Sequence, residues 1–380
     1  MTVFGLEWNQ DADTFTRLEG ASGWATPAAA TAALNGVGPW DMRRCNLWDD
    51  GTVTAYYGDR CYTDTDVANM GQAMVKIPKF WYTTDHTATT DYKWYISTTG
   101  EAGTEPAGHD HDWRVHPAFI RNGVTKPYIY LGAYEGYFNA VDSKLESKSG
   151  VAPTATKTLS AFRTSAQLRK GAPNYWECQD YLSTCAVQLL YLIEYAEFDS
   201  QGRLGQGLTN TTLQNTGLTT ANGNASYGVT GDGTHAMSYR GIENFYGNIF
   251  KLIDGINIKA DYMPWIADHN FVSCITGDTS TGFDGTVYVD SKLVCANADG
   301  VPNDIATEST VPGDYGFLAS TISASGNFLH DYYYRNTGNR QAGFGGGWAY
   351  ATLAGMFSWF NNFIAGNSAA TYGARLMYIG

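Results

Sequence analysis

The sequence has few charged residues and no long apolar run. Charged residues make up only 16% of the 380 positions, and the formal net charge is −13. Because phosphate contacts require a basic surface, this balance argues against nucleic-acid binding and against binding to anionic membranes. No stretch approaches the roughly 18 consecutive apolar residues that a transmembrane helix requires, so we expect no membrane insertion.

Cysteines and targeting signals are equally sparse. The six cysteines are too few for a disulfide scaffold in a chain of this length, so we expect mostly buried thiols. The stretch from Met1 to Trp8 has neither a basic region nor an apolar core, and no signal peptide is visible. The sequence therefore predicts a protein that folds in the cytoplasm where it is made.

Aromatic residues and glycine are abundant. The chain contains 26 Tyr, 17 Phe, 11 Trp and 43 Gly, which is typical of a loop-rich, β-rich fold and not of a helical bundle. Strands are expected at Thr52–Tyr57 and Tyr128–Tyr134, and a hairpin is expected from Met74–Tyr82 and Tyr92–Ser97. The spacing of apolar residues predicts one helix over 180–197, with a single apolar stripe, and a weaker one over 160–170.

Ordered motifs in the second half of the chain carry a resemblance. Gly247-Asn-Ile-Phe-Lys-Leu, Gly346-Gly-Trp348 and Gly373-Ala-Arg resemble, in this order, signature motifs of formylglycine-generating enzymes. The helix ending Leu192-Ile-Glu-Tyr-Ala also resembles a helix of that family. The resemblance implies an α+β chain with a C-type lectin fold, in the formylglycine-generating-enzyme-like elaboration, after a small N-terminal β-rich region.

Another branch of this fold matches the C-terminus better. The run from Trp348 to Trp359 is similar to the retroelement-diversified variable proteins of the major tropism determinant type, in which variable residues surround a Gly-Gly-Trp core. Ile77–Tyr82, Tyr130–Glu135 and Tyr239–Asn244 resemble phage tail proteins that carry this domain. The resemblance implies a non-enzymatic phage or prophage protein, located in the virion tail or in the bacterial cytoplasm before assembly. Its expected partner is a host cell-surface protein or glycan receptor.

The composition of the C-terminal segment agrees with a variable binding surface. From Gln341 to Ala374 no residue is charged or histidine, yet Asn361, Asn367 and Ser368 add polar groups that a core rarely leaves unpaired. Uncharged Tyr, Phe, Ser, Asn and Gly are the residues of antibody-like binding surfaces. Asn codons mutated at their adenines never encode Trp, Met, Gln, Lys or Glu, and between residues 349 and 372 only Met356 and Trp359 belong to that set.

These observations divide the segment into scaffold and ligand face. The expected scaffold comprises Trp348, Phe357, Trp359, Gly247–Leu252 and Arg375. The ligand face is expected within 333–372, at Tyr333, Ala349, Tyr350, Thr352, Leu353, Ser358, Phe360, Phe363, Ile364, Asn367, Ser368, Thr371 and Tyr372. A buried sheet would also avoid charge and remains the competing interpretation of this segment.

Other functional candidates are weaker. An enzyme of the formylglycine-generating type needs cysteine chemistry near the C-terminus, and no cysteine follows Cys295. His109-Asp-His-Asp112 with nearby His116, and Asp299–Asp304, lack a complete ligand spacing for Zn²⁺ or Ca²⁺. We therefore expect no catalytic residues, no metal and no cofactor.

A structural tail component without a receptor role also remains open. Residues 1–65 are interpreted as a region for attachment to a tail fibre or for oligomerisation, and 66–380 as the lectin-fold domain. The first edge of the main domain is an equally good interpretation of residues 1–65.

Overall fold

The computed structural model describes residues 2–88, 91–98, 113–169, 176–273, 282–306, 316–322 and 328–380. Strands are numbered β1–β26 and α-helices α1–α5 in chain order. The described residues are mostly antiparallel β-sheet with few helices, as the expected β-rich α+β class requires. No described helix combines the length and apolar character needed to cross a membrane.

The N-terminal residues form a five-stranded sheet with a later hairpin, in the order β2-β1-β7-β6-β8. Its strands are β1 (Val3–Asn9), β2 (Thr14–Glu19), β6 (Trp81–Ala88), β7 (Asp91–Ser97) and β8 (Arg114–Val115). The hairpin partner of β7 is thus β6, and the hairpin predicted from Met74–Tyr82 is wrong in its first strand. That stretch breaks after Pro78, because proline has no N–H to donate to a ladder.

A six-stranded sheet runs in the order β14-β26-β11-β5-β3-β4. Its strands are β3 (Arg43–Leu47), β4 (Val53–Tyr56), β5 (Gln72–Pro78), β11 (Tyr128–Gly132), β14 (Trp176–Cys178) and β26 (Leu376–Tyr378). The predicted strands at 52–57 and 128–134 are confirmed as β4 and β11. Residues 3–56 thus share both sheets with residues 72–97, while their role in attachment or oligomerisation stays a prediction.

A seven-stranded sheet carries the C-terminal segment, in the order β19-β18-β17-β23-β24-β22 with β25 beside β17. Its strands are β17 (Phe250–Ile258), β18 (Pro264–Ile266), β19 (Val289–Asp290), β22 (Tyr333–Arg335), β23 (Arg340–Phe344), β24 (Trp359–Phe363) and β25 (Tyr372–Gly373). The two-stranded pairs are β9 (Ile120–Arg121) with β10 (Val124–Thr125), β12 (Gly136–Asn139) with β13 (Lys144–Ser147), β15 (Ser238–Tyr239) with β16 (Ile242–Glu243), and β20 (Pro302–Ile305) with β21 (Ala319–Ile322).

The helices are short apart from the fourth. They are α1 (Pro27–Leu34), α2 (Val67–Met70), α3 (Leu159–Gln167), α4 (Tyr181–Tyr195) and α5 (Ser200–Leu204), with 3₁₀ turns at Gly38–Trp40, Pro117–Phe119, Thr220–Asn222 and Ala351–Leu353. The helices predicted over 180–197 and 160–170 are confirmed as α4 and α3.

Helix α4 is the central helix of the core. It begins at Asp180, whose carboxylate accepts from the Ser183 N–H in a capping box, and ends where Ala196 turns left-handed at φ 51°. Every residue of α4 is buried, so the predicted single apolar stripe is wrong. The helix is enclosed because it contacts α1, β1 and β17, and it therefore buries polar side chains such as Gln188 and Glu194 together with its apolar ones.

Two large buried clusters share the interior of the described residues, beside a small third one at Val3, Tyr95 and Trp113. The larger joins α4 to the five-stranded and seven-stranded sheets and includes Trp8, Trp40 and Trp359. The second joins one face of the six-stranded sheet to α3, Phe250 and Phe360. One face of the C-terminal sheet therefore packs against this second cluster, which it shares with the six-stranded sheet and α3.

Candidate ligand-binding surface

The pairing of β22 with β24 decides which C-terminal side chains point outward. Tyr333 lies beside Trp359, and Tyr334 lies beside Phe360, in a parallel register. Successive side chains of a strand point to opposite faces, so Tyr333 and Trp359 enter the main core, where each is almost fully buried. Tyr334 and Phe360 share the opposite face, and their rings stack at 6.1 Å.

Phe250 lies at the centre of an aromatic cluster on this second face. Its ring makes edge-to-face contacts with Tyr350 and Phe360, both at 4.6 Å, and with Tyr372 at 6.0 Å and Phe363 at 6.1 Å. Edge-to-face geometry is the favourable arrangement for aromatic pairs. We call the set Phe250, Phe360, Phe363, Tyr334, Tyr350 and Tyr372 the aromatic platform. The phenylalanines are buried and the tyrosines are half-buried, so the platform presents tyrosine to solvent.

Two glycines allow the platform to form. At Gly343 of β23 an added Cβ would overlap the ring of Phe363, which covers this position of the sheet. Gly346 has φ +72°, and a Cβ there would collide with Ala354. The glycine run before Trp348 therefore brings the following loop down against the sheet.

Two loops flank the platform. The first joins β23 to β24 and the second joins β24 to β25, and hydrogen bonds to their backbones hold both in place. In the first, the Ala351 N–H donates to the Thr209 carbonyl at 2.8 Å, and Gln201 Nε2 donates to the Ala351 carbonyl at 2.9 Å. In the second, the Ile364 N–H donates to Asn367 Oδ1 at 2.6 Å. Of the predicted ligand-face side chains only Asn367 takes part in these bonds, so the exposed side chains can change without losing them.

The structure divides the predicted ligand-face residues into three groups. The exposed group consists of Ala349, Thr352, Leu353, Ile364 and Ser368. The half-buried group consists of Tyr350, Asn367, Thr371 and Tyr372. The buried group consists of Tyr333, Ser358, Phe360 and Phe363.

The buried group supports the surface from below and is not placed on it. Ser358 Oγ donates to the carbonyls of Tyr332 and Leu353 at 3.1 and 3.0 Å. These bonds hold the start of β24 against the start of β22 and against the first loop. Sequence reasoning missed Tyr332 and Tyr334, which are half-buried on the outward side of the strand that carries Tyr333. Side chains alternate between the two faces of the sheet along Tyr332-Tyr333-Tyr334. The sequence shows this alternation, but only the pairing with β24 shows which of the three point outward.

The predicted scaffold residues are buried except for Trp348, which is half-buried. The Trp348 N–H donates to the Asn248 carbonyl at 3.1 Å, so this residue is held by its backbone. Phe357, Trp359 and Arg375 are almost fully buried. Arg375 donates from Nη1 to the Gly132 carbonyl at 2.7 Å and ties the last strand to the end of β11.

A buried polar group fixes the turn that carries Phe250. Lys251 Nζ donates to the Gly247 carbonyl at 2.8 Å and lies 3.0 Å from Glu135 Oε1. Asn248 Nδ2 donates to the other Glu135 oxygen at 2.6 Å. Burial lowers the pKa of Lys251 to about 8, while Glu135 opposes the shift. These satisfied polar groups make the platform's base rigid.

The other candidates do not converge on a site. His109–Asp112 lie outside the described residues, and His116 is buried among rings, where burial and Arg121 lower its pKa to about 3. The Asp299 carboxylate accepts from the Arg335 N–H, and that of Asp304 accepts from the Ile305 N–H. Within the described ranges, no three His, Cys, Asp or Glu side chains are placed to share a metal ion.

No family model and no curated protein matches the sequence. Among solved structures, the chain is similar to the Major Tropism Determinant U1 variant, with 14% identity over 89% of this chain and 72% of that chain, at a TM-score of 0.32. It is similar to the I1 variant with 12% identity over the same shares of the two chains, at a TM-score of 0.33. A TM-score of this size does not by itself establish a common fold.

Proposed function

We propose that this chain is a non-catalytic ligand-binding protein of phage or prophage origin. Its fold is the C-type lectin fold in residues 66–380, and residues 1–65 serve attachment to a tail fibre or oligomerisation. One observation carries the proposal. Side chains that reach solvent between residues 348 and 372 are uncharged, being small, aliphatic or aromatic, and the loops that carry them are anchored beside the aromatic platform.

This arrangement suits recognition of a host cell-surface protein or glycan. Half-buried Tyr350 and Tyr372 offer contact area at little entropy cost, because the rings beneath already limit their rotamers. Exposed Thr352 and Ser368 offer hydrogen bonds that adapt to different ligands. Attachment of several copies to one tail would raise weak affinities through avidity.

We further propose that a retroelement diversifies this face. The main-chain anchors do not depend on the exposed side chains, so substitutions there leave the fold intact. Sequencing the locus in many isolates tests this. Variation at Asn codons should concentrate at Ala349, Thr352, Leu353, Ile364 and Ser368, beside a template repeat and a reverse transcriptase gene. Uniform variation without these neighbours would refute diversification.

Direct binding tests the receptor role. The double variant Thr352→Lys/Ser368→Lys places two charges on the exposed face and should abolish adsorption to host cells with an unchanged melting temperature. The control, Thr125→Lys/Ser22→Lys, adds the same charges at exposed positions elsewhere and should adsorb normally. Undiminished adsorption of the first variant would favour a structural tail component.

A further inference from the structure

A cleft lies on the six-stranded sheet, which does not include the C-terminal strands β22–β24. It encloses about 370 Å³ and is lined by Arg43, Lys76, Tyr56 and Tyr128, with Asp41 at its rim. This volume falls within the range of small-molecule sites, roughly 300–1,000 Å³. Although the net charge of the chain is −13, two of the side chains that line this cleft are cations.

The two cations lie side by side on adjacent strands of the sheet. Arg43 of β3 and Lys76 of β5 are direct partners in an antiparallel register, which brings their Cβ atoms to about 5 Å. Like charges in this position are destabilising. Lys76 Nζ donates to the Tyr56 hydroxyl at 3.2 Å, and no carboxylate of the described residues forms an ion pair with it. The register therefore places two cations side by side, and of the two only Arg43 has a carboxylate partner among the described residues.

The charges of the cleft select a monoanion. Asp41 Oδ1 lies 2.9 Å from Arg43 Nε and occupies that edge of the guanidinium. The two terminal nitrogens of Arg43 remain for a group with two acceptor oxygens, the geometry of a carboxylate. The two cations and Asp41 together leave a net charge of +1 in the cleft. A ligand with one carboxylate neutralises this charge, whereas a phosphate dianion would leave the cleft with a net negative charge.

The walls of the cleft are aromatic. Lys76 Nζ lies 3.6 Å from the centre of the Tyr128 ring, and the Arg43 guanidinium lies 5.9 Å from that of Tyr56. Lys76 Nζ also lies 5.8 Å from the centre of the Tyr56 ring, so Lys76 contacts both rings and Arg43 contacts one. Tyr128 is 37% exposed, so part of its side chain is open to an apolar ligand surface. We propose that the cleft binds a carboxylate carried on a ring, with the acid between Arg43 and Lys76 and the ring against tyrosine.

Two acids and their neutral counterparts test this site in the full-length protein. D-glucuronate and benzoate carry the carboxylate on a sugar and on an aromatic ring, while methyl glucoside and benzamide lack the charge. Titration followed by NMR at low salt should show binding of at least one acid and at least tenfold weaker binding of its neutral counterpart. Which acid binds more tightly identifies the ring as saccharide or aromatic.

Variants connect binding to the cleft. Arg43→Gln should weaken binding of the acid about tenfold or more, since a charge-assisted pair of bonds is lost. Arg203→Gln removes a comparably exposed arginine paired with Glu197 and should leave binding unchanged. Lys76→Gln should weaken binding, and Lys76→Arg should restore it. Binding of neither acid, equal binding of the neutral compounds, or unchanged binding by Arg43→Gln would overturn the proposal.

Discussion

Replacing Phe250 with leucine removes the ring at the centre of the aromatic platform. Phe250 is 1% exposed and makes edge-to-face contacts with Tyr350, Phe360, Phe363 and Tyr372. Aromatic pairs contribute about 0.5–1.5 kcal/mol each beyond their buried area, and the contacts are not additive. Since leucine keeps most of the apolar volume, we expect a loss of about 2–4 kcal/mol in the free energy of unfolding.

A matched control separates this effect from ordinary core damage. Phe245 is fully buried and contacts the ring of Phe344 at 5.1 Å. Phe245→Leu should therefore cost less, about 1–2 kcal/mol, in urea unfolding. NMR spectra of ring-labelled tyrosine should show altered signals of Tyr350 and Tyr372 in Phe250→Leu, because these rings lose their support. In Phe245→Leu the same signals should stay in place.

Ligand binding gives the third readout for Phe250→Leu. Tyrosine side chains that are less restrained lose more conformational entropy on binding. Adsorption to host cells should therefore weaken in Phe250→Leu and persist in the control. Equal losses of stability in the two variants, with unchanged tyrosine signals in both, would refute the claim that Phe250 organises the surface.

Three further changes test the supporting structure. Gly343→Ala should displace the ring of Phe363, cost about 1–3 kcal/mol in unfolding free energy and weaken ligand binding. Arg375→Met leaves three buried carbonyl oxygens without their donor and should cost about 3 kcal/mol or more, seen as a large drop in melting temperature. Burial raises the pKa of Glu177 to about 8, so the folded protein holds this proton more tightly than the unfolded chain does. The stability that the bound proton adds is fully present below the usual pKa of glutamate and is lost as the pH rises through 8. Urea unfolding at pH 5–8 should show this decline, up to about 1.4 kcal/mol per pH unit, and Glu177→Gln should flatten it.

Local signals predicted several elements correctly. The periodic apolar residues located helix α4 to within a few residues, because helical spacing is a short-range feature. The same signals could not show that α4 is buried on every side, which depends on sheets formed from distant parts of the chain.

The surface was harder to predict than the fold elements. Tyr333 and Tyr334 are adjacent aromatic residues, and only the register of β22 against β24 decides which of them reaches solvent. Asn361 looked like a surface residue by polarity, yet it is fully buried in β24. Composition therefore located the segment that carries the proposed binding surface, while strand pairing determines which of its side chains are exposed.

The most direct test of the proposed binding surface is a library with five exposed positions randomised together. These are Ala349, Thr352, Leu353, Ile364 and Ser368. Because surface substitutions usually change stability by about 0.5 kcal/mol or less, most members should fold with melting temperatures close to that of the parent. Selection of the library on different host strains should yield variants with different ligands. A library that is mostly unfolded, or one whose folded members all bind the parent's ligand, would contradict the proposal.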